Sequence, residues 1–270
     1  MRGLFRKIFY EVRVPVLLFA VGLAAIMGLL TALLPKILGD LDKMFDSIPF
    51  IKPILTALLG VDVGDGFTAQ MMQAFLWVHP TVLALIWAHE LMYCSRIPAA
   101  EIDRGTIDYL LGLPISRWRL YIAETIGWLV TGSVILTIGW CGHAIASQWL
   151  QPGMLPGAYP TFCVMANLFG LYLAVGAASF LVSACSDRRG RTIGIVFALL
   201  LFSFLLNFLA QFWDPAKQVA FLSMMEYYKP AKIIETGAFP MRNVSILGSL
   251  AVVFWVCGGF VLQRRSICTV

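Results

Sequence analysis

The chain has 270 residues, of which 60% are hydrophobic and only 13% charged. Soluble domains carry about 25% charged residues and about 45–50% apolar ones, so a soluble enzyme or binding module is excluded and an integral membrane protein is expected. The net charge of +5 therefore bears on orientation in a bilayer, and no nucleic-acid partner is expected.

Residues 1–13, MRGLFRKIFYEVR, place Leu4, Phe5, Ile8, Phe9 and Val12 on one helical face, with Arg2, Arg6, Lys7, Glu11 and Arg13 on the remainder. That pattern predicts an interfacial helix with its basic groups towards lipid phosphates; a basic tail ahead of the first span is the plainer alternative. No small-residue cleavage site follows the first apolar run, so a cleaved signal peptide is not expected. A membrane crossing needs about 20 apolar residues. Runs near 14–35, 69–94, 121–147, 161–185, 192–212 and 244–262 meet that length, giving six predicted spans in a single transmembrane domain. In the fourth, Gly170, Ala174 and Ala178 at spacing four form a ridge suited to close helix packing, or alternatively face lipid.

Charge sets the expected orientation. Thirteen of the 20 Lys and Arg lie in the N-terminal cluster, in the 96–119 link, at Arg188, Arg189 and Arg191, and at Arg264 and Arg265. The other seven, Lys36, Lys43, Lys52, Lys217, Lys229, Lys232 and Arg242, are spread over two longer segments. The excess of positive charge predicts a multi-pass protein of the inner (plasma) membrane with both termini cytoplasmic, as an even number of spans requires. Residues 36–68, with Asp40, Asp42, Asp46, Asp62 and Asp65 among apolar residues and Pro49, Pro53 and Gly60 as breaks, are expected to form one or two short amphipathic helices outside. Residues 213–243, with Phe221, Leu222, Met224, Met225, Tyr227 and Tyr228 before Pro230, read as a second outer element.

Between the second and third spans lies EIDRGTIDYLLGLPISRWRLY, from Glu101 to Tyr121. Thr106 is placed to cap a short helix over Ile107–Leu111, Gly112 to stop it in a left-handed conformation, Pro114 to block continuation, and Ser116 to cap the next helix. Ile107, Tyr109, Leu110 and Leu111 would form an apolar knob rimmed by Asp103, Arg104, Asp108, Arg117 and Arg119. A two-turn helix of this size is too short to fold alone, so a docking element is expected, or else a helix resting on lipid headgroups.

Chemistry within the chain is sparse. His89-Glu90 opens like a zinc-protease HExxH, but Tyr93 stands where the second histidine belongs; no GxxxxGK[ST] phosphate loop and no CxxC pair occur. Glu101 and Asp103 lack the further acidic or His cluster that a metal hydrolase needs. Met154, Met224, Met225, Met241, Cys141, Cys163 and His143 are too scattered for a copper site, so no metal and no cofactor are expected. Ionisable groups within spans are costly. His79 and His143 read as interfacial or hydrogen-bonded side chains. Glu90 reads as a partner of Arg96 or a side chain reaching for the surface, and Glu124 is the one other buried acid.

The layout and the run Glu101, Gly105-Thr106, Leu110-Leu111, Pro114-Ile115-Ser116-Arg117 resemble the membrane subunits of ABC-2-type ABC exporters; Tyr227-Tyr228-Lys229-Pro230 with Gly237 is similar to the stretch these permeases carry before their last span. The resemblance implies an all-α membrane fold of six spans, an N-terminal elbow helix (1–13) and a short cytoplasmic coupling helix (101–113). It implies a permease that is no enzyme itself, paired with a second copy or a related permease, with ATP and Mg bound by separate ATPase subunits. Coupling would fall to Glu101, Arg104, Gly105, Thr106, Ile107, Asp108, Tyr109, Leu110, Leu111, Pro114 and Arg117, with Leu110-Leu111 as the leading contact. Gln70, Gln73, Asn207 and Gln211 are candidates for lining the pathway, or for bonding helix to helix. Two alternatives remain: an assembly protein with a permease layout, and an intramembrane hydrolase using His89 and Glu90.

Overall fold

A computed structural model describes residues 2–38, 47–48, 50–60, 68–151 and 153–266. Among these the chain is helical, without strand. The helices are α1 (Arg2–Leu38), α2 (Ile51–Leu59), α3 (Ala69–Val78), α4 (Pro80–Cys94), α5 (Glu101–Asp103), α6 (Ile107–Leu111), α7 (Arg117–Ser147), α8 (Ala158–Cys185), α9 (Arg189–Leu209), α10 (Asp214–Val219), α11 (Pro230–Thr236) and α12 (Met241–Arg264). Among the described residues six stretches are long and apolar enough to cross a membrane: α1, α3 with α4, α7, α8, α9 and α12. Asp40, Asp42, Lys43, Asp46, Pro49, Asp62, Asp65 and Cys268 lie outside the described residues.

The expected break between a surface helix at 1–13 and a span at 14–35 is absent. Arg2–Leu38 is one helix of 37 residues, about 55 Å at 1.5 Å per residue against about 30 Å of hydrocarbon core. The reason lies in its buried stripe. Ile8, Val12, Ala20, Leu23, Met27, Thr31 and Leu34 are buried at helical spacing, so the amphipathic face of 1–13 runs straight into the packed face of the span.

That stripe lies along α7. The backbones come so close that a Cβ on Gly142 would sit 2.2 Å from the Ala24 carbonyl oxygen, a small-residue contact of the kind that holds helices together in lipid. Helix α8 is the most buried of the spans. Gly170, Ala174 and Ala178 are all buried, with Gly170 facing Leu247 of α12, so the ridge packs against protein. The second span is two helices: His79 leaves the helical region at ψ 129° and its Nδ1 accepts from the Thr81 amide, while Pro80 starts α4.

Hydrogen bonds sort the helix ends into two groups. At one end, Arg117 donates to the carbonyls of Leu262 (3.0 Å) and Arg265 (2.5 Å). Arg265 itself donates to the carbonyls of Ala184 and Ser186. Lys7, Arg96 and Arg189 lie at this end as well, so both ends of the described chain share one basic face of the bundle. At the other end Thr31 pairs with His143 (2.8 Å) and Asn167 donates to the Tyr227 carbonyl (3.0 Å). There, too, the Tyr228 hydroxyl donates to the Trp77 carbonyl (2.9 Å), and burial pushes that phenol well above its ordinary pKa. Ser203 and Ser223 bond to each other at 2.9 Å, joining α9 to the two 3₁₀ turns, Ala220–Leu222 and Met224–Tyr227.

Candidate functional site

The link between the second and third spans is held on all sides. After α4, Ile97 is extended (φ −128°, ψ 129°), and the turn closes where the Ala100 amide donates to the Ser95 carbonyl at 3.1 Å. Ser183 of α8 reaches the Ile97 carbonyl and the Ala99 amide. Asp103 accepts from the first amide of α9, that of Arg189, at 3.4 Å. The Arg189 guanidinium returns to Ser95 Oγ and the Met92 carbonyl.

The turn chemistry differs from the expected pattern in two places. Thr106 does not cap α6: its backbone is already helical, and its hydroxyl donates instead to the Glu101 carboxylate. Gly112 is not left-handed (φ −73°). The left-handed residue is Gly105 (φ 68°), a conformation glycine adopts without the Cβ penalty; it turns the chain between α5 and α6. Ser116 does cap α7, accepting from the Arg119 amide at 3.3 Å.

The faces of α6 also redistribute the expected contacts. Ile107 and Leu110 point inward and, with Ile97 and Leu120, form a small core of their own. Leu110 is therefore not an outward contact. A five-residue helix has one apolar face, and the bundle uses it. Glu101 is buried, Thr106, Leu111 and Arg117 are half-buried, and Arg104, Gly105, Asp108, Tyr109 and Pro114 are exposed. Tyr109 is 80% exposed and Leu113 46%, so the outward surface is Tyr109 and Leu113 between Arg104, Asp108 and Pro114. Arg117 is turned to the Leu262 and Arg265 carbonyls and away from that surface.

Arg96 anchors the link to the bundle. It donates to Glu11 of α1 at 2.7 Å and to Glu124 of α7 at 2.5 Å, and its guanidinium lies over the Tyr93 ring, 5.1 Å from the centroid. Burial is the largest influence and opposes the charge, but Glu124, Tyr93 and Glu11 together outweigh it, and the Arg96 pKa ends above its ordinary value. Lys7 of α1 completes the network, 3.3 Å from Glu11 and 3.5 Å from Glu101. The expected Glu90–Arg96 pair does not form, because Glu124 and Glu11 occupy the guanidinium. The signal for Arg96 was in the sequence: Glu124 is an acid within a span and needs a cation nearby.

The remaining intramembrane polar groups separate cleanly. His79 bonds Thr81 Oγ1 at 2.7 Å and His143 bonds Thr31, as hydrogen-bonded side chains do. His89 and Glu90 are fully buried; among the described residues the His89 ring nitrogens have no hydrogen-bond partner, and the Glu90 carboxyl lies against the Gly176 backbone. His89 stacks on Tyr172 with centroids 6.2 Å apart. The four pathway candidates sit in different surroundings. Gln70 is exposed and donates to the Gly153 carbonyl at 3.3 Å, Gln73 is buried, and Gln211 is exposed. Asn207 borders a narrow gap with Val78, Met225 and Tyr228.

A family model described as ABC-2 family transporter protein matches residues 91–262, a range that contains the entire link. The "Probable multidrug ABC transporter permease YbhR" of Escherichia coli (strain K12) is 26% identical over 124 residues, covering 44% of this chain and 31% of that protein. The protein of the same name from Escherichia coli O157:H7 matches to the same extent. The chain thus aligns with about a third of the length of these relatives. No solved structure matches.

Proposed function

The chain belongs to the ABC-2 family of transporter proteins, and from that premise we propose that it is the permease subunit of an ATP-driven exporter, docking separate ATPase subunits on the Arg104–Pro114 surface. The supporting observation is the contrast within five residues of α6: Ile107 and Leu110 are locked into the bundle while Tyr109 stands 80% exposed. A protruding aromatic on a rigid base can receive a push and pass it on. Through Glu101 and Lys7 it would reach α1, through Arg96 and Glu124 it would reach α7, and through Asp103 it would reach α9.

The excess of Lys and Arg at this end supports a cytoplasmic position in an inner-membrane protein, where the partner would bind ATP and Mg. The first turns of α1 act as the elbow, extending past the hydrocarbon core as a continuation of the span. A second permease, a copy of this chain or a related one, would complete the pathway. The relatives' name makes a multidrug-type, apolar or amphipathic cargo the first class to test.

The test is a reconstituted complex of the full chain with the ATPase that co-purifies with it. Tyr109→Asp is expected to lower ATPase association and permease-stimulated ATP hydrolysis by about tenfold or more, as loss of an aromatic contact hot spot does, with thermal stability unchanged. Undiminished stimulation would remove the docking role from α6.

A further inference from the structure

At the end of the bundle opposite Arg96, α10, α11, the two 3₁₀ turns and the start of α12 surround an open cavity of about 750 Å³. Lys217, Lys229, Lys232 and Arg242 line it, and Glu226 is the one acid among its described lining residues. Glu226 is taken up by Lys229. Lys217, Lys232 and Arg242 form no ion pair among the described residues. The cavity therefore presents three exposed cations without an ion pair among the described residues, with the Thr236 and Asn243 side chains beside them; Asp214 and Glu235, one turn from Lys217 and Lys232, are not among its lining residues.

This concentration runs against the charge pattern of the chain. The translocated side of a membrane protein is depleted in Lys and Arg; here, four of the seven basic residues assigned to that side converge on one cavity. Water and salt screen exposed charges, so a bound anion would relieve only the modest repulsion among them; what favours a site is their shared position on one cavity. The walls are fixed in advance: Tyr227 donates to the Phe221 carbonyl at 2.9 Å, Asn167 holds the Tyr227 carbonyl, and Gly237 ends α11 in the left-handed region (φ 62°). Preorganised walls lower the cost of binding. Phe221, Leu222 and Met241, each more than 60% exposed, form an apolar rim near the bases of α9 and α12.

We propose that this cavity is a binding site for a phosphate-bearing anionic group, with Lys217, Lys232 and Arg242 as its ligands. Arg242 offers the planar fork that matches phosphate oxygens in pairs, and the lysines act as point charges. The group can belong to the head of an anionic lipid whose chains rest on the apolar rim, or to a free phosphate. The site goes beyond the permease reading, and its binding assay involves no ATPase, so failure of one leaves the other standing.

The purified full chain in neutral detergent is offered equal amounts of phosphatidylglycerol and phosphatidylcholine, and the lipid retained through size-exclusion chromatography is quantified by mass spectrometry. Wild type is expected to retain a stoichiometric fraction of phosphatidylglycerol preferentially. Lys232→Gln/Arg242→Gln should lose that fraction by about tenfold or more, since charge-assisted bonds are the strong ones, while Lys232→Arg should keep it. The basic end also attracts anionic lipid, so Arg188→Gln/Arg191→Gln is run alongside and should leave the tight fraction intact. In a second arm, inorganic phosphate competes: displacement of the lipid shows that the phosphate alone is the determinant, and resistance shows that the lipid body contributes. Equal retention of both lipids by wild type, or an unaltered preference in Lys232→Gln/Arg242→Gln with its chromatographic profile intact, overturns the site.

Discussion

The two ends of the bundle carry basic residues in opposite circumstances. At the α6 end the buried guanidinium of Arg96 is matched by Glu11 and Glu124, and Lys7 by Glu11 and Glu101. Among the described residues at the α11 end, Lys229 is matched and three other cations face a cavity without an ion pair. Charge that is paired inside the fold belongs to the architecture, because removing one member strands the other in a medium of low dielectric. Unpaired charge held on preorganised walls is free to meet a ligand. On the two proposals above, the first end would serve as a mechanical joint and the second as a receptor, and each can be broken separately.

The largest effect is expected at Arg96. Arg96→Met leaves Glu124 buried and uncompensated, at a cost of about 3–5 kcal/mol; thermal unfolding of the solubilised chain should show it, and adding Glu124→Gln should recover part of the loss. If the double variant is no more stable than the single one, the pair is not the joint. Next comes Leu110→Ala, which opens the small core with Ile97, Ile107 and Leu120 and should lower stability by about 2–4 kcal/mol. Set against the unchanged stability expected of Tyr109→Asp, this pair separates the inward face of α6 from the outward one.

Gly142→Ala tests the packing that carries both ends. Its Cβ would meet the Ala24 backbone, so α1 and α7 must separate, for about 1–3 kcal/mol, read from the same melting curves. The smallest effect is expected from Tyr228→Phe. It deletes the bond to the Trp77 carbonyl, with a loss of about 1–2 kcal/mol, and should loosen the wall that holds Tyr227 and so weaken lipid retention in the cavity assay. Retention unaltered despite a lower melting temperature would show that the cavity wall does not depend on this anchor.

Much was legible in the residues themselves. Apolar runs of sufficient length determined six spans, because lipid leaves the backbone no alternative to satisfying its own hydrogen bonds. Positive charge grouped the chain ends on one face, and Ser116 announced the start of α7. In the α6 segment the sequence signals Ser116 as a cap but misplaces two other turns. A helical backbone and a nearby carboxylate took Thr106 away from capping, and the left-handed turn fell to Gly105 and not Gly112. These choices depend on what lies across the chain, which local spacing does not contain.

The same limit applied to the apolar residues of α6. The sequence marks Ile107, Tyr109, Leu110 and Leu111 together as an apolar knob, but not which of them is covered; the bundle's own Ile97 and Leu120 take up Ile107 and Leu110, leaving Tyr109 and Leu113 outside. Likewise the amphipathic pattern of residues 1–13 fits a surface helix and a packed extension of a span equally well, and only the approach of α7 decided between them. Sequence alone determined solvent, spans and charge asymmetry, since those follow from each residue's own transfer energy. Tertiary structure decided the partners: which carboxylates meet Arg96, and which cations at the far end remain without one.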